Sequence, residues 1–186
     1  MNTARLNPPK ELLDSLLEHY KNGRFNDAEK LAISITQDFP EHKYAWFVLG
    51  AVLRATGRDS EAVDANKVVV KLSPQDAATH NNLGVTLMEL GRLKEAEASY
   101  NQAITLKPNY TEAYYNLGVT LKGLGRLDEA LTSLNKAIEL KSDYAEAHRT
   151  LTSIKKFDTQ DEQYSKMLEL YLSEDISEEQ RCHINF

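Results

Sequence analysis

A Gly-Arg pair recurs at Gly23, Gly57, Gly91 and Gly125, and every interval is 34 residues. Ala28, Ala62, Ala96 and Ala130 keep the same beat, as do Pro40, Pro74 and Pro108, with Ser142 in the fourth place. A fixed period of this length marks one supersecondary unit stacked on copies of itself. Such a unit cannot bury its own apolar face, so the stack itself is the core. The functional question moves from a substrate pocket to an extended surface.

Residues 77–110 show the content of one period. Leu83, Leu87 and Leu90, with small Gly84 beside them, fall on one face of a helix expected from Ala77 to Leu90. Gly91 breaks the pattern, as a residue at positive φ after a helix end does. A second helix is expected from Lys94 to Leu106, with Ala96, Tyr100, Ala103 and Ile104 inward. Pro108 stops it. Asn26, Ser60 and Asp128 read as N-caps of the second helices in the other copies, with Lys94 the exception. Gly84 and Ala96 lie where the two helices of a pair cross, and Trp46 reads as buried between the first two pairs.

The pattern resembles the tetratricopeptide repeat (TPR). Leu83, Gly84, Leu87, Ala96, Tyr100, Ala103 and Pro108 carry it in 77–110. Tyr114, Leu117, Gly118, Leu121, Ala130, Leu134 and Ala137 carry it in 111–144. Repeat 43–76 has Trp46, Leu49, Gly50, Leu53, Ala62, Val69 and Pro74, but places polar Asn66 where a large apolar residue is usual. Repeat 9–42 keeps Gly23, Ala28 and Pro40 and puts Leu16 at the glycine position. The expected organisation is an N-terminal extension, 1–8, four repeats over 9–144, and a fifth first-helix plus a helical C-terminal segment over 145–186. The resemblance implies an all-α, right-handed superhelical solenoid of antiparallel helix pairs.

At 41% hydrophobic residues the chain can bury a continuous core. No apolar run is long enough to span a bilayer, and the first ten residues lack a signal-peptide core. Cys182 stands alone, which suits a reducing compartment, and a cytoplasmic location is expected. The net charge of −6 is concentrated in the tail, where residues 158–179 hold eight acids against Lys166 alone. Nothing forms the basic stripe that nucleic-acid binding needs.

Tyr164, Met167, Leu168, Tyr171 and Leu172 have the spacing of an amphipathic helix. Ser177 and Gln180 read as a capping box that opens a last helix, which ends soon after at Phe186. This reads as a truncated end. Its Cys182, Ile184 and Phe186 offer a surface for homodimerisation through the C-terminal segment. Residues 148–157 and 177–186 resemble the linker of bacterial TPR–sulfotransferase fusion proteins, which would imply a catalytic half beyond this chain.

Catalytic signatures are missing: there is no phosphate loop, HExxH, CxxC or GxSxG. His80 and His148 occupy the position of Trp46 and Tyr114 and read as packing. No enzyme activity, cofactor or metal is expected.

In the family that this chain resembles, first helices line the concave face. Carried over, that face takes Leu13, Leu17 and Tyr20; Tyr44, Phe47, Ala51 and Arg54; Asn81, Asn82, Val85, Met88 and Glu89; Glu112, Tyr115, Asn116, Val119 and Lys122; and Glu146, Arg149, Ser153 and Lys156. Of these, Tyr44, Phe47, Asn81, Asn82, Met88, Tyr115, Asn116, Lys122 and Arg149 are the candidate peptide-binding residues. An Asn amide both donates and accepts, so Asn82 and Asn116 suit a peptide backbone unit. Val48 and Thr150 interrupt that ladder on either side. The lysine–asparagine clamp for C-terminal carboxylates found in chaperone-binding relatives is absent, with Phe47, Asn81 and Val85 at its key positions. The resemblance therefore implies a non-catalytic scaffold that takes an extended peptide from a protein partner and has no nucleic-acid or membrane partner. The alternative is the regulatory or substrate-recruiting region of a larger sulfotransferase- or glycosyltransferase-like enzyme.

Overall fold

The computed structural model of the chain describes residues 7–154 together with Lys166 and Glu169. Among the described residues every regular element is an α-helix. They are α1 (Lys10–Lys21), α2 (Phe25–Asp38), α3 (Lys43–Ala55), α4 (Asp59–Leu72), α5 (Ala77–Glu89), α6 (Leu93–Leu106), α7 (Thr111–Gly123), α8 (Leu127–Leu140) and α9 (Ala145–Thr152). Two compact units divide the chain, Met1–Ser99 and Tyr100–Phe186. The expected helices over 164–172 and from Ser177, and the surface of Cys182, Ile184 and Phe186, lie outside the described residues.

The turn inside each pair is set by its glycine. Gly23, Gly57, Gly91 and Gly125 have φ of 70°, 76°, 72° and 75°, a region that residues with a Cβ enter at a cost. After α3, the Gly57 N–H donates to the Arg54 carbonyl at 3.0 Å and the Arg58 N–H to the Leu53 carbonyl at 2.8 Å. Those two bonds make a Schellman motif that satisfies carbonyls at the helix end. The same pair of bonds follows α1, α5 and α7.

The next helix starts directly after the arginine, which corrects one expectation. Arg24, Arg58 and Arg126 occupy the N-cap positions of α2, α4 and α8, and none caps with its side chain. Asn26, Ser60 and Asp128 already lie within the first helical turn. Arg24 reaches back to Glu18 of α1, while Arg58 and Arg126 pair with acids of that turn. Arg92 Nε donates to Glu95 Oε1 at 2.7 Å, and Arg126 pairs with Glu129 in the same way. These pairs hold the Glu95 and Glu129 carboxyls below their ordinary pKa. Being exposed, they add little stability.

In the N-terminal unit the core runs without a break from α1 to α4, through Leu16, Ile35, Val48, Leu49, Val52 and Ala62. In the C-terminal unit Leu134, Ala137, Ala147 and Leu151 form a core, with Tyr114 and Tyr115 packed on it. Helices of a pair cross where one has no side chain. A Cβ on Gly118 would stand 2.7 Å from Leu134 Cγ and 3.3 Å from the Ala130 carbonyl oxygen. At the same crossing of α3 and α4, a Cβ on Gly50 would stand 2.9 Å from Asn66 Oδ1.

Trp46 is only half-buried rather than enclosed between pairs. Its indole Nε1–H donates to the Pro40 carbonyl at 2.8 Å. His80 and His148 repeat the contact, with Nε2 2.9 Å from the carbonyls of Pro74 and Ser142. A carbonyl only accepts, so each Nε2 carries the proton. At this position a ring N–H ties the first helix to the loop that precedes it. Tyr114, without such a donor, serves by packing.

Candidate functional site

The N-terminal unit carries a concave surface. Tyr20 of α1, Phe47, Gly50, Ala51 and Arg54 of α3, Asn66 of α4, and Asn82 and Thr86 of α5 line a recess of about 90 Å³. A wider neighbouring hollow of about 410 Å³ is lined by Tyr20, Ala51, Arg54, Ala55, Gly57, Asp59 and Glu89. Positions three, four and seven apart on a helix share a face, so Phe47, Ala51 and Arg54 of α3 point the same way. Arg54 reaches α5 through Nη1, 3.4 Å from Glu89 Oε1, and Lys43 Nζ lies 3.3 Å from Asp76 Oδ2. These exposed contacts join α3 and α5 at the two ends of the face.

Phe47 is 39% exposed, unusual for so large an apolar side chain. Tyr44 stacks beside it, with ring centroids 6.5 Å apart and planes at 28°. Burial pushes the Tyr44 phenol pKa up, so the ring carries no charge near neutrality. The Asn82 side chain is half-buried at the recess and has no hydrogen-bond partner among the described residues. Asn81, its neighbour, is 7% exposed and faces inward, leaving little surface for a ligand. Met88 is half-buried on the same helix.

The remaining candidates belong to the C-terminal unit. Tyr115 packs against Tyr144, ring centroids 5.1 Å apart. Burial raises the pKa of Tyr144, with the nearby Glu146 carboxylate adding to the effect. Asn116 is half-buried on α7, and its backbone carbonyl accepts from Thr120 Oγ1 at 2.8 Å. Lys122 Nζ donates to Ser153 Oγ at 2.7 Å, and Arg149 is exposed on α9. Phe47 and Asn82 thus meet in one recess, while Tyr115, Asn116, Lys122 and Arg149 share a separate unit. Sequence reasoning gave no site role to Asn66 or Thr86, which help line the recess. The polar residue at an apolar position was the available signal.

Among the described residues no group of His, Cys, Asp and Glu could hold a metal ion. None of the described helices is long and apolar enough to cross a membrane.

Family models described as tetratricopeptide repeat match residues 13–77 and 111–144, and one described as TPR repeat matches 86–125. No curated protein matches the chain. Several solved structures are similar. MamA from residue 41 to its end, from Desulfovibrio magneticus RS-1, aligns at 21% identity over 90% of this chain and 97% of that one, with a TM-score of 0.80. The pilF protein of Pseudomonas aeruginosa aligns at 16% identity over 95% of this chain and 76% of its own, TM-score 0.74. The first TPR of Spaghetti (RPAP3), bound to the HSP90 peptide SRMEEVD, aligns at 25% identity over 60% of this chain and 89% of its own, TM-score 0.59. The first two likenesses establish the fold, an all-α helical-repeat solenoid.

Proposed function

Since this chain belongs to the tetratricopeptide repeat family, we propose that it is a non-catalytic interaction scaffold that holds an extended segment of a protein partner along its first helices. The observation that carries this reading is the recess between α1, α3 and α5, where exposed Phe47 stands beside the unpartnered Asn82 amide. An aromatic surface with open amide chemistry suits a peptide, whose backbone offers one donor and one acceptor per residue. The solved relative with a bound HSP90 peptide supports peptide binding as a use of this fold. The chain's own residues favour an internal segment over a C-terminus, because Phe47, Asn81 and Val85 stand where carboxylate-clamping relatives need Lys and Asn. Asn116, Lys122 and Arg149 belong to the C-terminal unit and are proposed as peptide-contacting residues of that unit by itself.

A random-peptide display selection on the purified chain tests the proposal. Enriched peptides should lose affinity with Phe47→Ala, and lose about 0.5–1.5 kcal/mol with Asn82→Ala, the usual worth of one hydrogen bond. The Asn82 loss should be similar for all peptides, since a backbone contact reads no side chain. Failure to enrich any peptide, or binding indifferent to both substitutions, refutes the reading.

A further inference from the structure

The two units differ at one buried position. Under Gly118 the chain places Leu134, which is fully buried; under Gly50 it places Asn66, 7% exposed. The neighbouring hydroxyl fixes the direction of the Asn66 amide. Thr86 Oγ1 donates its only hydrogen to the Asn82 carbonyl at 3.1 Å. It can therefore only accept from Asn66, so the atom 2.9 Å away is Nδ2. The other end of the amide, Oδ1, is turned to Gly50, where it would meet a Cβ at 2.9 Å. Oδ1 has no donor among the described residues, and Gly50, Asn66, Asn82 and Thr86 all border the recess. Among the described residues, the fully enclosed side-chain atoms left without a partner are ring nitrogens of His19, His42 and His148, so Oδ1 keeps some access to solvent and can be reached by a ligand.

The recess holds about 90 Å³. At roughly 30 Å³ per water in the liquid, it suits a group of about three heavy atoms. Oδ1 calls for a donor. The Asn82 amide and the Arg54 guanidinium border the same space and can donate to an acceptor. A carboxylate would set its lone pairs against Oδ1, and an ammonium would sit beside Arg54. A neutral group with a donor at one end and an acceptor at the other meets both demands. We infer that this recess is a specificity pocket for a primary carboxamide, the side chain of an Asn or Gln in the bound segment. Its NH2 donates to Asn66 Oδ1, and its carbonyl accepts from Arg54, which leaves the Asn82 amide to the peptide backbone. This inference rests on the groove reading above and adds the side chain that the groove selects.

The test selects one random heptapeptide display library in parallel against the wild-type chain, Asn66→Leu and Asn66→Asp, with helical content and melting checked for each. Wild type should enrich peptides with Asn or Gln at one fixed position. Replacing that residue by Leu or Glu should weaken wild-type binding about 5–10-fold, the loss of one or two hydrogen bonds. Asn66→Leu, which copies Leu134, should bind both versions within twofold of each other. Asn66→Asp, of equal size, should shift the preference to Lys or Arg. If Asn66→Leu fails to fold, the isosteric Asp variant and the wild-type peptide series carry the test. Wild-type peptides with no carboxamide preference, as when an ordered water occupies the recess, overturn the inference and leave the groove reading intact. A preference unchanged in both variants does the same. No enriched peptide at all refutes the groove reading, and the inference with it.

Discussion

Gly118→Ala puts the helix-crossing argument at risk. In a helix interior, Gly→Ala ordinarily gains about 1 kcal/mol. Here the new methyl would stand 2.7 Å from Leu134 Cγ and 3.0 Å from Cδ2, closer than packed carbons come. Leu134 is fully buried and cannot swing into solvent, and the Ala130 carbonyl at 3.3 Å limits any shift of α7. Overpacking of this kind costs about 1–3 kcal/mol, and the tight contact favours the upper end. The net loss should be about 1–2 kcal/mol. The sign should invert when Leu134 is shortened. Leu134→Ala alone should cost about 2–5 kcal/mol. In that background Gly118→Ala meets neither Cγ nor Cδ2, and should recover about 0.5–1 kcal/mol of helix propensity. Urea melts followed by circular dichroism, with a constant slope, give all four corners of the cycle. A Gly118→Ala variant more stable than wild type, or equal costs in both backgrounds, would mean the pair does not cross at Gly118 as described.

Three further outcomes are expected. Trp46→Ala should cost less than the 3–5 kcal/mol typical of a fully enclosed aromatic, about 1.5–3 kcal/mol by urea melt, because the ring is half-buried. A cost above that range means Trp46 is enclosed in solution. Gly57→Ala should cost about 1–2 kcal/mol by thermal melt, with φ of 76° alone responsible, since nothing lies within 4 Å of the added methyl. Asn at the same position should cost less, and equal costs would point away from the backbone. Burial lowers the His148 pKa from 6.5, and Nδ1 has no partner among the described residues, so the fold prefers the neutral ring. Its contribution is complete above about pH 6.5 and is lost as pH falls through the window between that value and the lower folded one. His148→Tyr, copying Tyr114, should flatten the decline in melting temperature below neutrality, and an unchanged slope would clear His148 of the effect.

The sequence disclosed some features and hid others for physical reasons. A turn that requires positive φ leaves a residue signature, so Gly23, Gly57, Gly91 and Gly125 could be read as helix ends with their conformation. Helix starts leave a weaker one. Asn26, Ser60 and Asp128 are good caps by type, but the Schellman turn forces the chain into a helix directly after the arginine. Periodicity gives the face a residue occupies and not its depth, so Trp46 read as enclosed. Adjacent positions on a helix differ by about 100°, yet Asn81 and Asn82 were both assigned to the groove. The structure separates them, with Asn81 buried and Asn82 at the recess. Asn66 was visible as a polar residue in an apolar place. Its meaning needed Thr86, 20 residues on, and the missing side chain of Gly50.

The ring contact shared by Trp46, His80 and His148 bears on how such repeats can be edited. Hydropathy scales set Trp and His far apart, and a substitution table that follows them would forbid the exchange. Where this site holds Trp46, His80 or His148, it uses a planar donor that reaches a carbonyl six residues upstream, whereas Tyr114 packs instead. A designer varying this position should rank residues by donor reach before size. Trp46→His and His80→Trp then become conservative exchanges, and Leu or Met, so close to Trp in hydropathy, become the disruptive ones.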